Sequence, residues 1–176
     1  MGNKTKAWRP NTEKFNYMSL QGRDHIRFLH LKKSTFSSLN CEISHVSLSE
    51  KPKYTALSYT WGSATPSYGN QCTELSPFGS RYEQSGILPL SENMNAFLHH
   101  HMKVEIDMPL WIDALCINQQ DGDEKMVQVQ MMGRIYRSAQ QVTIWLGKGT
   151  PETDRAIDDL RSIMEKVPAV KFSLKE

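Results

Sequence analysis

The stretch LWIDALCINQQDGDEKMVQVQMMGRIYRSAQQVTIWLG, from Leu110 to Gly147, decides the fold. It opens on a short apolar run, Leu110–Asp113, which follows Pro109 and leads into Cys116-Ile117-Asn118-Gln119-Gln120. Asp121-Gly122-Asp123-Glu124 is then an acidic turn suited to a helix start, because carboxylates in a first turn meet the positive end of the helix dipole. Met126, Val129, Met132, Ile135, Tyr136 and Ala139 follow at steps of three and four, so they share one helical face. Val142–Leu146 (VTIWL) is a compact β-branched and aromatic run closed by Gly147. A strand, a helix and a strand in so short a span make a crossover unit, and such units build parallel strands covered by helices.

The same alternation continues on both sides. Tyr54–Thr60 (YTALSYT), ended by Trp61-Gly62, reads as a buried strand stopped by a tight turn. Ser91 is a helix cap, and Met94, Phe97, Leu98, His101 and Met102 fall at helical spacing behind it. Thr150-Pro151-Glu152 starts a further helix carried by Ala156, Ile157, Leu160, Ile163 and Met164 as far as Pro168. Upstream, Ile26–Leu31 (IRFLHL) and Cys41–Leu48 (CEISHVSL) read as a β-hairpin. Ser63–Gly86 is rich in Ser, Pro, Gly, Asn and Gln without periodicity, and reads as a long loop. The expected fold is therefore α/β: a parallel sheet flanked by helices, preceded by an N-terminal β-hairpin. Its expected organisation is a flexible basic segment over 1–14, one domain over 15–166 with the loop at 63–86, and a tail over 167–176.

Composition bounds the function. The 176 residues carry 21 Lys+Arg against 19 Asp+Glu, a net charge of +2, which excludes a strongly basic nucleic-acid binder. The longest apolar runs are a few residues, so no membrane span is expected. Met1 to Pro10 is polar, with no apolar stretch behind it, and Lys6 stands where a myristoylation signal wants Ser or Thr. Cys41, Cys72 and Cys116 are odd in number and form no Cys-x-x-Cys pair, which points to reduced thiols in a cytoplasmic protein. The apolar fraction of 39% is modest; either part of the chain contributes little core, or some core lies in sequence beyond it.

In open parallel sheets a ligand sits beyond the carboxyl ends of the strands. Here those ends hold Ser58, Tyr59, Trp61 and Gly62 after one strand, and Asp113, Asn118, Gln119, Asp121 and Glu124 after the next. Aromatic faces, amides and carboxylates together suit a ribose- or base-containing ligand. Each residue also has a plain structural reading: Trp61 as a core plug, Gly62 as a turn, Asp113 as a hydrogen-bonded loop anchor. His99-His100-His101 lacks a completing ligand set, since consecutive helical residues point about 100° apart, so no metal is expected. Ser58 lacks a nucleophile elbow, Cys116 has no evident His partner, and Gly147-Lys148-Gly149-Thr150 is only a fragment of a phosphate loop.

Three blocks taken together, Tyr54–Gly62, Leu110–Gln119 and Ile144–Gly147, resemble the fungal heterokaryon incompatibility (HET) domain, as do Glu124, Val129, Met132, Ile135, Tyr136 and Ala139 between the last two. The resemblance covers about Phe15 to Leu160. It implies a cytosolic module in proteins of vegetative incompatibility, where fusion of unlike strains triggers programmed cell death. It also implies a distant relation to the Toll/interleukin-1 receptor (TIR) domain, a flavodoxin-like α/β fold, some members of which cleave NAD. The Trp…Gln-Glu motif common in HET domains does not follow Trp145-Leu146-Gly147, so the resemblance implies a HET domain that stops early. The reading that results is a signalling and interaction module with protein partners, HET-domain self-association among them, and without nucleic acid, membrane or cofactor. The alternative is a NAD-cleaving hydrolase with NAD as substrate, Asp113 and Glu124 as candidate catalytic residues, and Trp61 in the nucleotide pocket.

Overall fold

The structure, a computed structural model, describes residues 14–32, 40–62, 64–75, 83–104 and 108–166. The segment expected to be flexible over 1–14 falls outside these residues but for Lys14, and the tail over 167–176 falls outside them entirely.

Among the described residues seven strands form one sheet. They are β1 (His25–Lys32), β2 (Asn40–Ser47), β3 (Thr55–Tyr59), β4 (Ala64–Leu75), β5 (Glu83–Ser91), β6 (Leu110–Trp111) and β7 (Gln141–Trp145), in the spatial order β5-β4-β2-β1-β6-β3-β7. The helices are α1 (Glu92–Lys103), the single turn α2 (Asp113–Cys116), α3 (Gly122–Ser138) and α4 (Pro151–Lys166).

The three strands expected to be parallel are so: β3 runs parallel to both β6 and β7, with Ala56 opposite Trp111 on one side and Val142 on the other. The sheet as a whole is mixed. The hairpin β1–β2 is antiparallel, and rather than preceding the core it joins it, with Leu29 opposite Leu110. β2 then pairs in parallel with β4, and β4 antiparallel with β5.

The stretch expected as a loop over 63–86 thus contains all of β4 and the start of β5. Its strand character is masked because the inward positions are not apolar in the usual way. Cys72 and Glu74 are both fully buried, and Glu74 satisfies its charge inside the protein. Gly86 is buried because the backbone of Phe15 lies against it, with Phe15 donating to the Ile87 carbonyl at 3.0 Å. A Cβ at Gly86 would sit 2.6 Å from Phe15 Cα. Gly86→Ala is therefore expected to destabilise by about 1–3 kcal/mol, the usual cost of overpacking. A urea midpoint unchanged from wild type would contradict that contact.

The helix boundaries follow their caps. Ser91 accepts from the Met94 amide, Asp121 accepts from the Asp123 and Glu124 amides, and both acidic first turns sit where the helix dipole favours them. The core gathers Ile26, Phe28, Tyr54, Leu57, Phe97, Leu98, Trp111 and Ile135 between sheet and helices. Tyr54 donates to the Ile135 carbonyl at 2.5 Å, and burial pushes its hydroxyl up to about 12.

One side of the core is ionic. Arg27, fully buried on β1, donates to Glu74 at 2.9 Å and grips Glu124 at the start of α3 with both terminal nitrogens, at 2.5 and 2.9 Å. Its remaining donors reach the Met18 and Cys116 carbonyls, and its guanidinium lies 4.9 Å from the centre of the Tyr17 ring. Glu74 also accepts from the Met18 amide and hydrogen-bonds His45 Nε2 at 2.6 Å. Cys41 and Cys72 face each other across β2 and β4, both buried and outside any disulfide, so two of the three cysteines are neighbours. Contact with Cys41, together with burial, drives the Cys72 thiol far above its ordinary range.

Candidate functional site

The carboxyl ends of β3, β6 and β7 meet at one edge, where Asn93 in the first turn of α1 ties two of them together. Its amide nitrogen donates to the Thr60 carbonyl at 2.9 Å, and its oxygen accepts from the Trp145 indole at 2.8 Å. Nothing in the sequence singled out Asn93; the signal available was only its place two residues after the helix cap Ser91.

Of the residues expected at this edge, Tyr59, Trp61, Asp113 and Gln119 come together. The Trp61 indole donates to Asp113 Oδ2 at 3.1 Å, and the Ala114 amide donates to Asp113 Oδ1 at 2.7 Å. Gln119 donates to the Asp113 carbonyl at 3.0 Å. Burial raises the Asp113 carboxyl above its ordinary range, against those two hydrogen bonds. Burial, and then the charge of Asp113, raise the Tyr59 hydroxyl. Trp61 is 46% exposed, so it is not a core plug but a half-exposed ring at the strand ends. Gly62 takes φ +143, a backbone that side-chain-bearing residues rarely adopt, and this turns the chain sharply past Trp61.

Ser58, Asn118 and Glu124 lie elsewhere. Ser58 is exposed and pairs in register with Ile144. Asn118 accepts from the Gln120 amide and donates its own amide to Glu124. Glu124 is committed to Arg27 through both carboxylate oxygens, so the geometry gives it a structural role. Among the described residues no group of three His, Cys, Asp or Glu is arranged to hold a metal ion. His99 and His100 are exposed, whereas His101 turns inward, and burial lowers its imidazole below the ordinary value.

Between α1 and the turn after β7 lies an open cleft of about 500 Å³. Trp145, Gly147 and Lys148 line it from one side, and Glu92, His100 and Lys103 from the other.

The far face of β7 is bare. Val142 and Ile144 are 45% and 67% exposed, and Leu146 just beyond the strand is 82% exposed. β7 is the last strand of the sheet, hydrogen-bonded only to β3 among the described strands. At the opposite edge, β5 carries Pro89 and is bridged by Lys14, so that edge is partly covered. α4 likewise exposes Ile157, Leu160 and Ile163, and none of its described side chains is buried. No described helix is long and apolar enough to cross a membrane.

Residues 54–173 match the family described as heterokaryon incompatibility protein (HET). A curated relative, "Heterokaryon incompatibility protein 6, OR allele" of Neurospora crassa, is 35% identical over 161 residues, which is 85% of this chain and 23% of that protein. The chain thus spans under a quarter of that relative's length. No solved structure matches the chain.

Proposed function

Because the chain belongs to the heterokaryon incompatibility (HET) family, we propose that it is the HET module of a fungal protein of non-self recognition and programmed cell death, and that it works by pairing with a second copy of itself. The observation that carries this is the edge strand β7. From Ala139 to Gly147 the sequence AQQVTIWLG holds no charge and no proline, the devices that usually blunt an exposed edge. Two such strands run antiparallel about a two-fold axis would bring only uncharged residues opposite one another, and like charges are what such pairing must avoid. α4 carries charges of both signs, Asp154, Asp158 and Asp159 with Arg155 and Arg161. A strongly acidic or basic partner would find nothing complementary on this edge.

The parallel set β6-β3-β7, with α1 and α3 joining its strands, supports a TIR- or flavodoxin-like core for that part of the sheet. The NAD-cleaving alternative draws less support, because Glu124 is held by Arg27 and only Asp113 of the two stands beside Trp61 at the strand ends. Sedimentation of the purified chain over a range of concentrations tests the pairing. The wild type is expected to dimerise, and Ile144→Lys to stay monomeric while folding normally, since an exposed substitution shifts stability by about 0.5 kcal/mol or less. A wild type that stays monomeric, or an Ile144→Lys variant that dimerises equally, would remove the edge from the account.

A further inference from the structure

We infer that Cys41 and Cys72 form an oxidation site, at which a peroxide joins the two sulfurs in a disulfide that bolts β4 to β2. The two residues are register partners in the parallel pairing of β2 with β4, so their side chains leave the sheet on the same face. Neighbouring strands lie about 4.8 Å apart, and disulfides join Cα atoms about 4.4–6.8 Å apart, so the bond needs no change of register. The thiols are already in contact: a hydrogen bond with Cys41, followed by burial, holds the Cys72 thiol protonated. Cys116 is placed otherwise. Its sulfur accepts from the Ile112 amide at 3.4 Å and donates to the Leu110 carbonyl at 3.8 Å, within its own turn.

Place in the sheet gives the bond both its consequence and its route of access. Four register pairs, Asn40–Ile43 with Gln71–Glu74, join β4 to β2, and β5 follows β4 at the sheet edge. The Glu74 end of this joint is already secured, since Glu74 accepts from Arg27 on β1 at 2.9 Å. The cysteines form the second pair from the other end. Opening of the Asn40–Gln71 pair therefore uncovers two residues that are 5% and 0% exposed in the closed sheet. Fraying of a terminal pair is the local opening that costs least, and a small uncharged peroxide can enter through it. The Cys41 sulfur gives its proton to water and attacks one peroxide oxygen; the O–O bond breaks, and the hydroxide released takes up a proton, leaving a sulfenic acid. The Cys72 sulfur then attacks the Cys41 sulfur, the S–O bond breaks, and the departing hydroxide takes the Cys72 proton as water. Two thiols and one peroxide thus give one disulfide and two waters. β4 and β7 lie on opposite sides of the sheet order, so this inference stands or falls apart from the pairing of β7 edges.

Hydrogen peroxide added to the whole 176-residue chain, reduced and dilute, tests it, with remaining thiols alkylated before digestion. Peptide mapping is expected to find one link, Cys41 to Cys72 within a single chain, with Cys116 alkylated, and dithiothreitol should remove the link. The same treatment in urea is expected to scatter links over all three cysteines, because an unfolded chain no longer selects the pair. Hydrogen exchange reads the bolt itself. Amides within Gln71–Glu74 are expected to exchange more slowly by roughly ten-fold or more after oxidation, and to recover their reduced-state rate with dithiothreitol. The inference is overturned if the native chain forms no disulfide, if its link includes Cys116 or a second chain, or if urea leaves the pattern of links unchanged. It is overturned equally if the linked chain exchanges its β4 amides at the reduced-state rate.

Discussion

Arg27→Met is expected to cost about 3–5 kcal/mol, the usual penalty for removing one partner of a buried ion pair. Arg27 has no exposed surface, and its loss leaves Glu74 fully buried and Glu124 with 10% side-chain exposure, both without their cation. Glu74 would retain only His45 and the Met18 amide, and Glu124 only the Asn118 amide. A small domain has about 5–15 kcal/mol in all, so the variant should unfold at a much lower urea concentration or fail to fold at ambient temperature. Arg27→Lys should recover little, because an ammonium cannot serve Glu74 and the two oxygens of Glu124 from one planar fork. Adding Glu74→Gln and Glu124→Gln to Arg27→Met should restore part of the loss, since the burden lies in the stranded charges. If Arg27→Met melts like the wild type, the ionic cluster is not buried as described.

Trp111→Ala is expected to cost about 3–5 kcal/mol by the separate route of cavity formation. The ring is fully buried on β6, between β1 and β3, edge-on to Tyr136 with centroids 5.4 Å apart. Among the described residues its indole nitrogen has no hydrogen-bond partner, so the expected loss is one of packing. Trp61→Ala makes the useful contrast. Trp61 is 46% exposed and gives up one hydrogen bond to Asp113, so it should cost about 1 kcal/mol or less. Chemical denaturation of the two variants under one condition separates them. Similar midpoints would contradict the different burial of the two rings.

The two tryptophans also show how far sequence reasoning reaches. Periodicity located β3, α1, β6, α3, β7 and α4, because each carries an apolar pattern that neighbours in sequence can reveal. It did not locate β4, where Glu74 occupies an inward position that pattern-reading assigns to an apolar residue, nor the start of β5, where inward Gly86 has no side chain at all. The mixed sheet was hidden for a related reason. The pairing of β1 with β6 joins Leu29 to Leu110, and nothing local to either residue encodes it. The candidate site was legible in part. Tyr59, Trp61, Asp113 and Gln119 share the strand ends that a parallel core predicts, whereas Glu124 was claimed by Arg27, 97 residues away. Asn93 was missed because its work is to join β3 to β7 after both have been placed. The bare face of β7 was likewise invisible, since Val142 and Ile144 have the sequence of a core strand and only the sheet order shows them at an edge.

Hydrogen exchange of the β7 amides, measured at low and at high protein concentration, distinguishes a paired edge from a solitary one. An edge that pairs with a second copy predicts that amides within Gln141–Trp145 gain protection as concentration rises, with Ile144→Lys abolishing the gain. Concentration-dependent protection confined to other elements, with the β7 amides unchanged, would contradict it.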